Sequence, residues 1–313
     1  MPLRQRLTSL TLCTALAALA LTTAAQARTN VAVGLGDQSQ AMFSAPAYQA
    51  LQLKKTRYYI RWDAAKYPSV LATADAYVAA ARAAHVKVLM HISTNNFTLK
   101  KAKLPSVADY KKYVGRLVKR YRPMGVTEWG VWNEANHASQ PTYRSPTRAA
   151  SFFKTMRTLC PGCTIVALDV LDQAGVETYI KKFMAAAGSK RQYVKTVGIH
   201  NYSDTNRKRS TGTSSIIKTV HHYRPTAAIW LTETGGVVEF GSNFKCSESR
   251  AANRISYMFT LAKKYKASVK RLYAYNWQGT NCESRFDAGL VRKDGSLRPG
   301  YTAFKKGIAS FTR

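Results

Sequence analysis

The sequence predicts a single α/β domain folded as a (β/α)8 TIM barrel. Strand-like and helix-like segments alternate throughout, no low-complexity linker separates them, and eight strand-like segments lie within 28–313. That is about 36 residues per strand–helix unit, which is the scale of this barrel. A doubly wound open sheet is the alternative. It usually has five or six strands, and no G-x-G-x-x-G motif follows the first strand to indicate a dinucleotide site.

The first 27 residues have the pattern of a secretory signal peptide. Arg4 and Arg6 precede a short apolar segment over 7–23, and the small-residue motif A-Q-A follows at 25–27. A retained N-terminal anchor is the alternative. The apolar segment is too short for a membrane span, and no later stretch has 18 uninterrupted apolar residues. We therefore expect a secreted protein with no membrane span, whose mature domain is 28–313.

The strands are predicted from short runs of β-branched and aromatic residues. In chain order they cover 31–35, 58–62, 86–92, 128–134, 164–170, 194–202, 228–233 and 269–277.

The helices are predicted from longer segments with apolar residues at helical intervals. Ser69 and Ser106 are candidate N-caps for the first two of them. In chain order the predicted helices cover 70–84, 107–121, 147–159, 176–187, 214–223, 249–265 and 301–308.

The chain is strongly basic, with a formal net charge of +32. Such a charge predicts attraction to polyanions, including nucleic acid, anionic wall polymers and acidic polysaccharides. Most basic residues are spread along helix-like segments, where exposed outer faces explain them. The densest tract is Arg207-Lys208-Arg209, and it follows the sixth strand, where it would line a cleft. No nucleic-acid-binding motif accompanies the charge, so we expect no specific nucleic-acid partner.

Four cysteines remain after the signal peptide, an even number that suggests disulfides in an exported chain. Four cysteines allow three pairings. Cys160 and Cys163 flank a tight Pro-Gly turn that would close on itself, and Cys246 would then pair with Cys282. A C-x-x-C redox site is the alternative, but no thioredoxin-like unit surrounds it. Zinc is not expected, because no second C-x-x-C or histidine pair is present. No metal or cofactor is predicted.

In a barrel of this type, chemistry takes place at the C-terminal ends of the strands. Several groups that bind or transfer protons fall at the predicted ends. They are Arg61, Trp62 and Asp63; His91; Asn133 and Glu134; Asp169 and Asp172; His200 and Tyr202; Glu233; and Asn276, Trp277 and Gln278.

Two glutamates that face each other across a sugar are the groups that glycoside hydrolysis requires. Glu134 also follows an aromatic residue and an amide, a setting that favours a raised pKa. Arg61 and Tyr202 are expected to hydrogen-bond the second carboxylate, Glu233, and Asn133 is expected to donate to a sugar 2-hydroxyl.

Aromatic side chains are expected to bind the sugar by stacking. Trp277 is the first candidate, with Trp62 and Trp132 as further ones. The alternatives are structural: Arg61 in an ion pair at the barrel rim, Trp277 in the core, and His200 as a buried structural histidine. For His91, Glu128, Asp169 and Asp172 we expect structural roles.

Two motifs carry a resemblance to clan A of the glycoside hydrolases, the retaining (β/α)8 enzymes. They are Trp132-Asn133-Glu134 on strand four and the segment W-L-T-E-T-G-G at 230–236 on strand seven. The tail at 289–301 also resembles the segment after strand eight in these enzymes. The resemblance implies that Glu134 is the acid/base and that Glu233 is the nucleophile.

The resemblance also assigns the neighbouring residues. The strand-two arginine of the clan corresponds to Arg61, its strand-six His-x-Tyr to His200 and Tyr202, and its strand-eight tryptophan to Trp277. One residue departs from the common pattern, because Ala135 follows Glu134 where many members have proline. The chain is similar to small members related to xylosidases and biofilm-polysaccharide hydrolases, or to fungal-wall β-1,3-glucanases.

The function expected from the sequence is therefore a secreted, monomeric, retaining glycosidase that acts on a polysaccharide, with an acidic or wall-associated glycan favoured by the charge. The alternative is a non-catalytic carbohydrate- or wall-binding protein on the same scaffold, because fold alone does not guarantee activity.

Overall fold

A computed structural model describes residues 29–312 of the chain. The predicted signal peptide at 1–27 lies outside the described residues. Within them, parallel strands form one sheet that closes on itself and carries the helices on its outer side, so the predicted (β/α)8 barrel is confirmed. None of the helices in the described part is both long and apolar enough to span a membrane.

Twelve strands occur in the described residues. They are β1 (Thr29–Gly36), β2 (Lys55–Arg61), β3 (Lys87–Ser93), β4 (Glu128–Gly130), β5 (Thr164–Val166), β6 (Leu168–Leu171), β7 (Thr196–His200), β8 (Ala228–Thr234), β9 (Glu239–Phe240), β10 (Val269–Tyr275), β11 (Phe286–Asp287) and β12 (Phe311–Thr312).

Nine α-helices occur in the same range. They are α1 (Pro46–Gln49), α2 (Pro68–Ala83), α3 (Val107–Tyr121), α4 (Pro146–Leu159), α5 (Val176–Ala187), α6 (Tyr202–Arg207), α7 (Thr211–Tyr223), α8 (Glu248–Lys264) and α9 (Pro299–Ile308). Ser106 caps α3 as predicted, by accepting a hydrogen bond from the Asp109 amide.

The barrel closes through a strand that is broken in the middle. The order in the sheet is β5-β4-β3-β2-β1-β10-β8-β7-β6, and its two ends, β5 and β6, are separated in the chain only by Ala167. The predicted fifth strand over 164–170 is therefore two segments. The first half pairs with β4 and the second half with β7.

The interior of the barrel is filled in layers, as expected for a closed sheet whose alternate residues point inward. Its lower part is an apolar cluster of four residues, Leu89, Val166, Trp230 and Tyr273. Higher up, towards the C-terminal ends of the strands, the inward-facing residues become polar and charged. The larger apolar core lies between the strands and the outer helices.

Two glycines make room for this polar layer. A Cβ at Gly130 would lie 1.8 Å from the His91 ring, and a Cβ at Gly198 would lie 2.0 Å from Asp169 Oδ1. Real Cβ atoms do not approach other atoms so closely, so both positions require glycine for His91 and Asp169 to remain where they are.

Two disulfides connect loops at different places on the barrel. Cys160 and Cys163 close the turn after α4, and Cys246 joins Cys282. The second bridge connects the segment after β8 to the segment after β10. The same two segments also pair through the short antiparallel strands β9 and β11, so they form one wall at the C-terminal face.

Candidate active site

A cleft of about 830 Å³ opens at the C-terminal ends of the strands, as the fold predicts. Both candidate glutamates, Glu134 and Glu233, line it, and Asn133 and Tyr202 lie beside them. The side chains of Glu134 and Glu233 are 17 % and 11 % exposed, so each is accessible only from the cleft.

Glu233, near the end of β8, receives hydrogen bonds on both carboxylate oxygens. Arg57 Nη1 donates to Oε2 over 2.6 Å, and the Tyr202 hydroxyl donates to Oε1 over 3.1 Å. Burial raises the pKa of Tyr202 well above its ordinary value, so this hydroxyl stays protonated and acts as a donor. The two donors fix the orientation of the Glu233 carboxylate.

The Arg57 guanidinium connects Glu233 to the rest of the site. Arg57 is fully buried, and its Nε donates to His91 Nδ1 over 3.0 Å. Its Nη2 donates to the Asn133 side-chain oxygen and lies 3.3 Å from His200 Nε2. One buried cation therefore positions both the nucleophile candidate and the amide that precedes Glu134.

Glu134 follows β4 with a left-handed backbone, at φ +48°. Its amide donates to Asp169 Oδ2 over 3.3 Å, which holds this unusual conformation in place. Its carboxylate Oε1 lies 3.0 Å from His200 Nδ1, and Oε2 lies 3.8 Å from His137 Nδ1. The strand end thus directs the Glu134 carboxylate into the cleft and onto His200.

Asp169 on β6 anchors His200 from the opposite side. Its Oδ2 lies 2.8 Å from His200 Nε2, and its Oδ1 accepts a hydrogen bond from Thr232. Burial by itself would raise the pKa of Asp169, but His200, His91 and Arg57 outweigh it and hold that pKa well below the usual range. Asp169 is therefore a permanent buried negative charge under His200.

His200 is fully buried between acidic groups. Burial by itself would lower the pKa of His200, but the charges of Asp169 and Glu233 outweigh it and raise the pKa to about 10. In contrast, burial dominates at His91 and lowers its pKa to about 3, so that ring is neutral. The site at neutral pH thus holds a protonated His200 between Asp169 and Glu134.

The pKa of Glu134 differs from the raised value expected from its sequence neighbours. Burial acts in the raising direction, but the hydrogen bond from His200 and the charges of His200 and His137 outweigh it and lower the pKa. The proton of the Glu134–His200 pair is therefore on the histidine. The two groups together still hold one transferable proton.

The arginine expected to contact Glu233 is corrected from Arg61 to Arg57. Arg61 Nε pairs instead with Asp63 Oδ1 over 2.5 Å, and its guanidinium lies over the Tyr67 ring. β2 begins at Lys55, three residues before the predicted strand, and alternate residues face inward. Arg57 and Arg61 are thus on the same face, but Arg61 lies four residues, or about 13 Å, further along the strand at the rim.

Trp62 and Trp277 are also outside the cleft, and their assignment as sugar-binding residues is corrected. Trp62 is 1 % exposed and packs against Tyr113, with ring centroids 5.8 Å apart. Trp277 is 6 % exposed and lies between Tyr48 and Tyr301. Both are core residues, because each follows a strand end at a position that faces the outer layer.

Other aromatic residues line the cleft instead. They are Tyr59, Phe97, Tyr202, Phe240, Phe244, Tyr275 and Phe286. Phe97 is 52 % exposed, and its ring meets that of Tyr59 edge-on at 6.0 Å. Trp132, a further stacking candidate, is buried and stacks on Phe152.

Sequence reasoning missed Arg57 and assigned only structural roles to His91 and Asp169. A signal for Arg57 was present, because Arg57 and Tyr59 alternate with apolar or β-favouring residues in a strand of period two. For Asp169 the signal was weak. A lone aspartate in an apolar strand does not indicate which histidine it will meet.

Three groups are close enough to bind one cation. Ligand atoms of Glu134, His200 and Glu233 all lie within 4.8 Å of one another. A metal here would compete with the Arg57 guanidinium on Glu233 and with the protonated His200. Both carboxylates therefore already have positively charged partners. For that reason the three residues fit a resident metal ion poorly.

Comparisons with known proteins agree with this geometry. Residues 130–304 match the glycosyl hydrolase catalytic core family. No curated protein matches the chain significantly in sequence.

Solved structures share the fold at low sequence identity. A family 39 glycoside hydrolase from Bacteroides cellulosilyticus is 16 % identical with a TM-score of 0.64, over 90 % of this chain and 64 % of that one. A glucosidase from Croceicoccus marinus is 14 % identical with a TM-score of 0.67, over 91 % and 66 %. Xylanase B from Clostridium stercorarium is 13 % identical with a TM-score of 0.61, over 88 % and 96 %.

The chain thus spans just under two thirds of the length of the first two structures. At these identities they establish the fold alone, which is the (β/α)8 barrel. The match to the family covers more than half of the chain and includes both glutamates. The chain therefore belongs to the glycosyl hydrolase catalytic core family, and the expectation that it is a glycoside hydrolase is confirmed.

Proposed function

We propose that this glycoside hydrolase is a secreted, retaining enzyme that cleaves a polysaccharide by double displacement, with Glu233 as nucleophile and Glu134 as acid/base. One observation carries the proposal. Carboxylate oxygens of Glu134 and Glu233 lie within 4.8 Å of each other. Retaining enzymes hold their carboxyl groups about 5–5.5 Å apart, whereas inverting enzymes need about 6.5–9.5 Å to admit a water.

The roles follow from what each carboxylate contacts. Glu233 is fixed by Arg57 and Tyr202, which suits attack on the anomeric carbon. Glu134 shares a proton with His200, which suits transfer to the leaving oxygen. In the first step the Glu233 carboxylate bonds to the anomeric carbon as the glycosidic C–O bond breaks, and Glu134 gives its proton to the departing oxygen.

The second step reverses these roles. Glu134, now a carboxylate, accepts a proton from water, and that water attacks the anomeric carbon and releases Glu233. Before each turnover the proton moves from His200 Nδ1 to Glu134 Oε1 across the 3.0 Å contact. Desolvation of the site by bound sugar favours this transfer, because a neutral pair is less costly to bury than an ion pair.

A polymer is the substrate that suits the shape of the site. The cleft is lined by residues from loops after most of the strands, and its exposed aromatic side chain, Phe97, offers a surface on which a sugar ring stacks. Because xylanases and a glucosidase share the fold, xylans and glucans are the first polymers to test.

Export is supported by the two disulfides, which persist in oxidising compartments, and by the signal-peptide pattern of the sequence.

The decisive experiment follows the anomeric configuration of the first product by NMR during hydrolysis of the best polymer in a glycan panel. We expect retention. A 2-deoxy-2-fluoro glycosyl fluoride should label Glu233 covalently, and Glu233→Gln should abolish labelling. In Glu134→Ala, added azide should restore turnover and give a glycosyl azide of retained configuration. An inverted first product, or labelling of a residue other than Glu233, contradicts the proposal.

A further inference from the structure

We infer that the cleft contains a binding site for an anionic substituent, a carboxylate or a sulfate, on the sugar chain, formed by Arg207 and Arg285. The inference rests on the proposed function and specifies the substrate class for the same cleft. Both arginines are exposed, and both line the cleft that contains Glu134 and Glu233.

Neither arginine is neutralised by the protein. In the part of the chain that the structure describes, no carboxylate lies within 4.0 Å of either guanidinium, and neither side chain makes a hydrogen bond. Their neighbour Arg209 differs, because it pairs with Asp204 over 3.3 Å and donates to Ser203 over 2.6 Å. Two positive charges in the cleft are therefore left for a ligand.

Arg207 is held in position by its surroundings. Its guanidinium lies 5.0 Å above the centre of the Phe244 ring. The preceding residue, Asn206, is buried and ties α6 to the segment after β8, by donating to Gly235 O over 2.9 Å and accepting from Val237 N over 2.8 Å. This anchoring lowers the entropy lost when Arg207 binds an anion.

Arg285 is positioned by the same wall of the cleft. Its carbonyl accepts a hydrogen bond from Gly241 N over 3.0 Å, so the two arginines flank the turn at 240–244. The next residue, Phe286, packs edge-on against Tyr202 at 5.4 Å, and Tyr202 donates to Glu233. The arginine pair is thus one aromatic layer away from the proposed nucleophile.

The chemistry of this wall matches an acidic sugar. Guanidinium groups bind carboxylate and sulfate through charge-assisted hydrogen bonds, and the Phe240, Phe244 and Phe286 rings offer apolar faces for the sugar ring. The acidic residue of the cleft outside the two glutamates, Asp172, accepts hydrogen bonds from the Ser203 and Asp204 amides, and burial raises its pKa to about 7. It therefore opposes a bound anion only weakly.

The test compares one polymer in two charge states. Kinetics are measured on glucuronic-acid-substituted xylan and on the same xylan after chemical reduction of its carboxyl groups. We expect wild type to have a KM about tenfold lower on the charged form, as a charge-assisted contact in a partly exposed site predicts. In Arg207→Gln/Arg285→Gln that preference should fall to about onefold.

The matched control is Lys181→Gln/Lys182→Gln, which removes the same charge from the exposed face of α5. It should keep the wild-type preference, since only the net charge of the domain has changed. Mobility of each variant in gels that contain either polymer measures binding without requiring cleavage. Sulfation of the reduced polymer then distinguishes the two anions. If the sulfated polymer again slows the protein in the gel, the site binds either anion. If it does not, the site is specific for carboxylate.

Three results overturn the inference. The first is that wild type shows no preference for the charged polymer in either assay, and the second is that the Lys181→Gln/Lys182→Gln control loses the preference as much as the arginine variant does. The third is that the arginine variant loses binding to duplex DNA but keeps its preference for the charged glycan. Hydrolysis of the reduced polymer together with fluoro-sugar labelling of Glu233 shows in the same experiment whether the proposed function itself holds.

Discussion

His200 bridges two carboxylates, with Nδ1 at 3.0 Å from Glu134 Oε1 and Nε2 at 2.8 Å from Asp169 Oδ2. The buried negative charge of Asp169 keeps the ring protonated, and the ring places a proton beside Glu134, the proposed acid. The pair of Glu134 and His200 therefore titrates as a unit, and its pH behaviour differs from that of a lone carboxylic acid.

The first prediction concerns the alkaline limit of activity. The pair of Glu134 and His200 loses its proton with the His200 pKa of about 10. The alkaline limb of the kcat/KM profile should therefore lie near that pH. In His200→Gln, Glu134 must hold the proton alone and the limb should move to lower pH. A pH–rate profile in both proteins measures the shift, and superimposable alkaline limbs would refute it.

The same histidine predicts a pH dependence of stability. The folded-state pKa of His200 is raised above its unfolded value, so its contribution is fully present below about pH 6.5 and is lost as pH rises to about 10. The melting temperature of wild type should therefore fall more steeply over this window than that of His200→Gln. Calorimetry between pH 6 and pH 10 tests this, and parallel curves would contradict it.

A third prediction separates the two arginines of β2. Arg57→Lys keeps the charge but loses the planar fork that reaches Glu233, Asn133 and His91, so kcat should fall about 10²–10³-fold. Arg61→Lys is the matched control at the rim and should stay within about threefold of wild type, because its ion pair with Asp63 lies outside the cleft. Both are compared by kcat/KM with circular dichroism as the folding check.

A fourth prediction uses Gly130. A methyl group there would enter the space of the His91 ring, so Gly130→Ala should destabilise the protein by about 1–3 kcal/mol and reduce kcat by misplacing Glu134. Gly115→Ala in α3 is the control, because its nearest heavy atom is a flexible Leu159 methyl at 3.1 Å. It should leave kcat unchanged. Urea unfolding and kinetics of both variants decide the matter.

A fifth prediction concerns the disulfide of the cleft wall. Cys246 and Cys282 are 36 residues apart, so replacing both by serine should cost about 4 kcal/mol in the chain-entropy account, against about 2 kcal/mol for the Cys160–Cys163 pair. Only the first replacement should also raise KM, because that bridge holds β9 and β11 beside the cleft. Equal effects on KM would argue against this role.

The fold could be predicted from the sequence because the strand and helix patterns repeat along the chain. The predicted helices over 107–121 and 176–187 agree with α3 and α5 to the residue. The number of alternating strand and helix segments predicts the barrel. Residues of the site could be predicted only where they belong to a recognisable sequence motif, as Glu134 and Glu233 do. Arg57 was missed because the predicted second strand begins at residue 58, after it. Arg61, four residues further along the strand, points to the same face of the sheet but lies at a different depth in the barrel.

The relationship between Asp169 and His200 could not be read from either segment. It depends on the break at Ala167, which lets β6 pair with β7 in a register that places Leu171 opposite His200. The tryptophans failed for a similar reason. Trp62 and Trp277 follow strand ends, and whether such a ring turns into the cleft or towards the helices is decided by packing against Tyr113, Tyr48 and Tyr301.

The pairing of β12 with the start of β1 has a practical consequence for handling the enzyme. Thr29 N donates to Ser310 O over 3.0 Å, and the Thr312 hydroxyl donates to Thr29 O over 2.7 Å, so both ends of the described chain meet at the face opposite the cleft. A surface tether attached through either end should leave the cleft facing the solution. Circular permutants that join these ends should likewise keep an intact barrel.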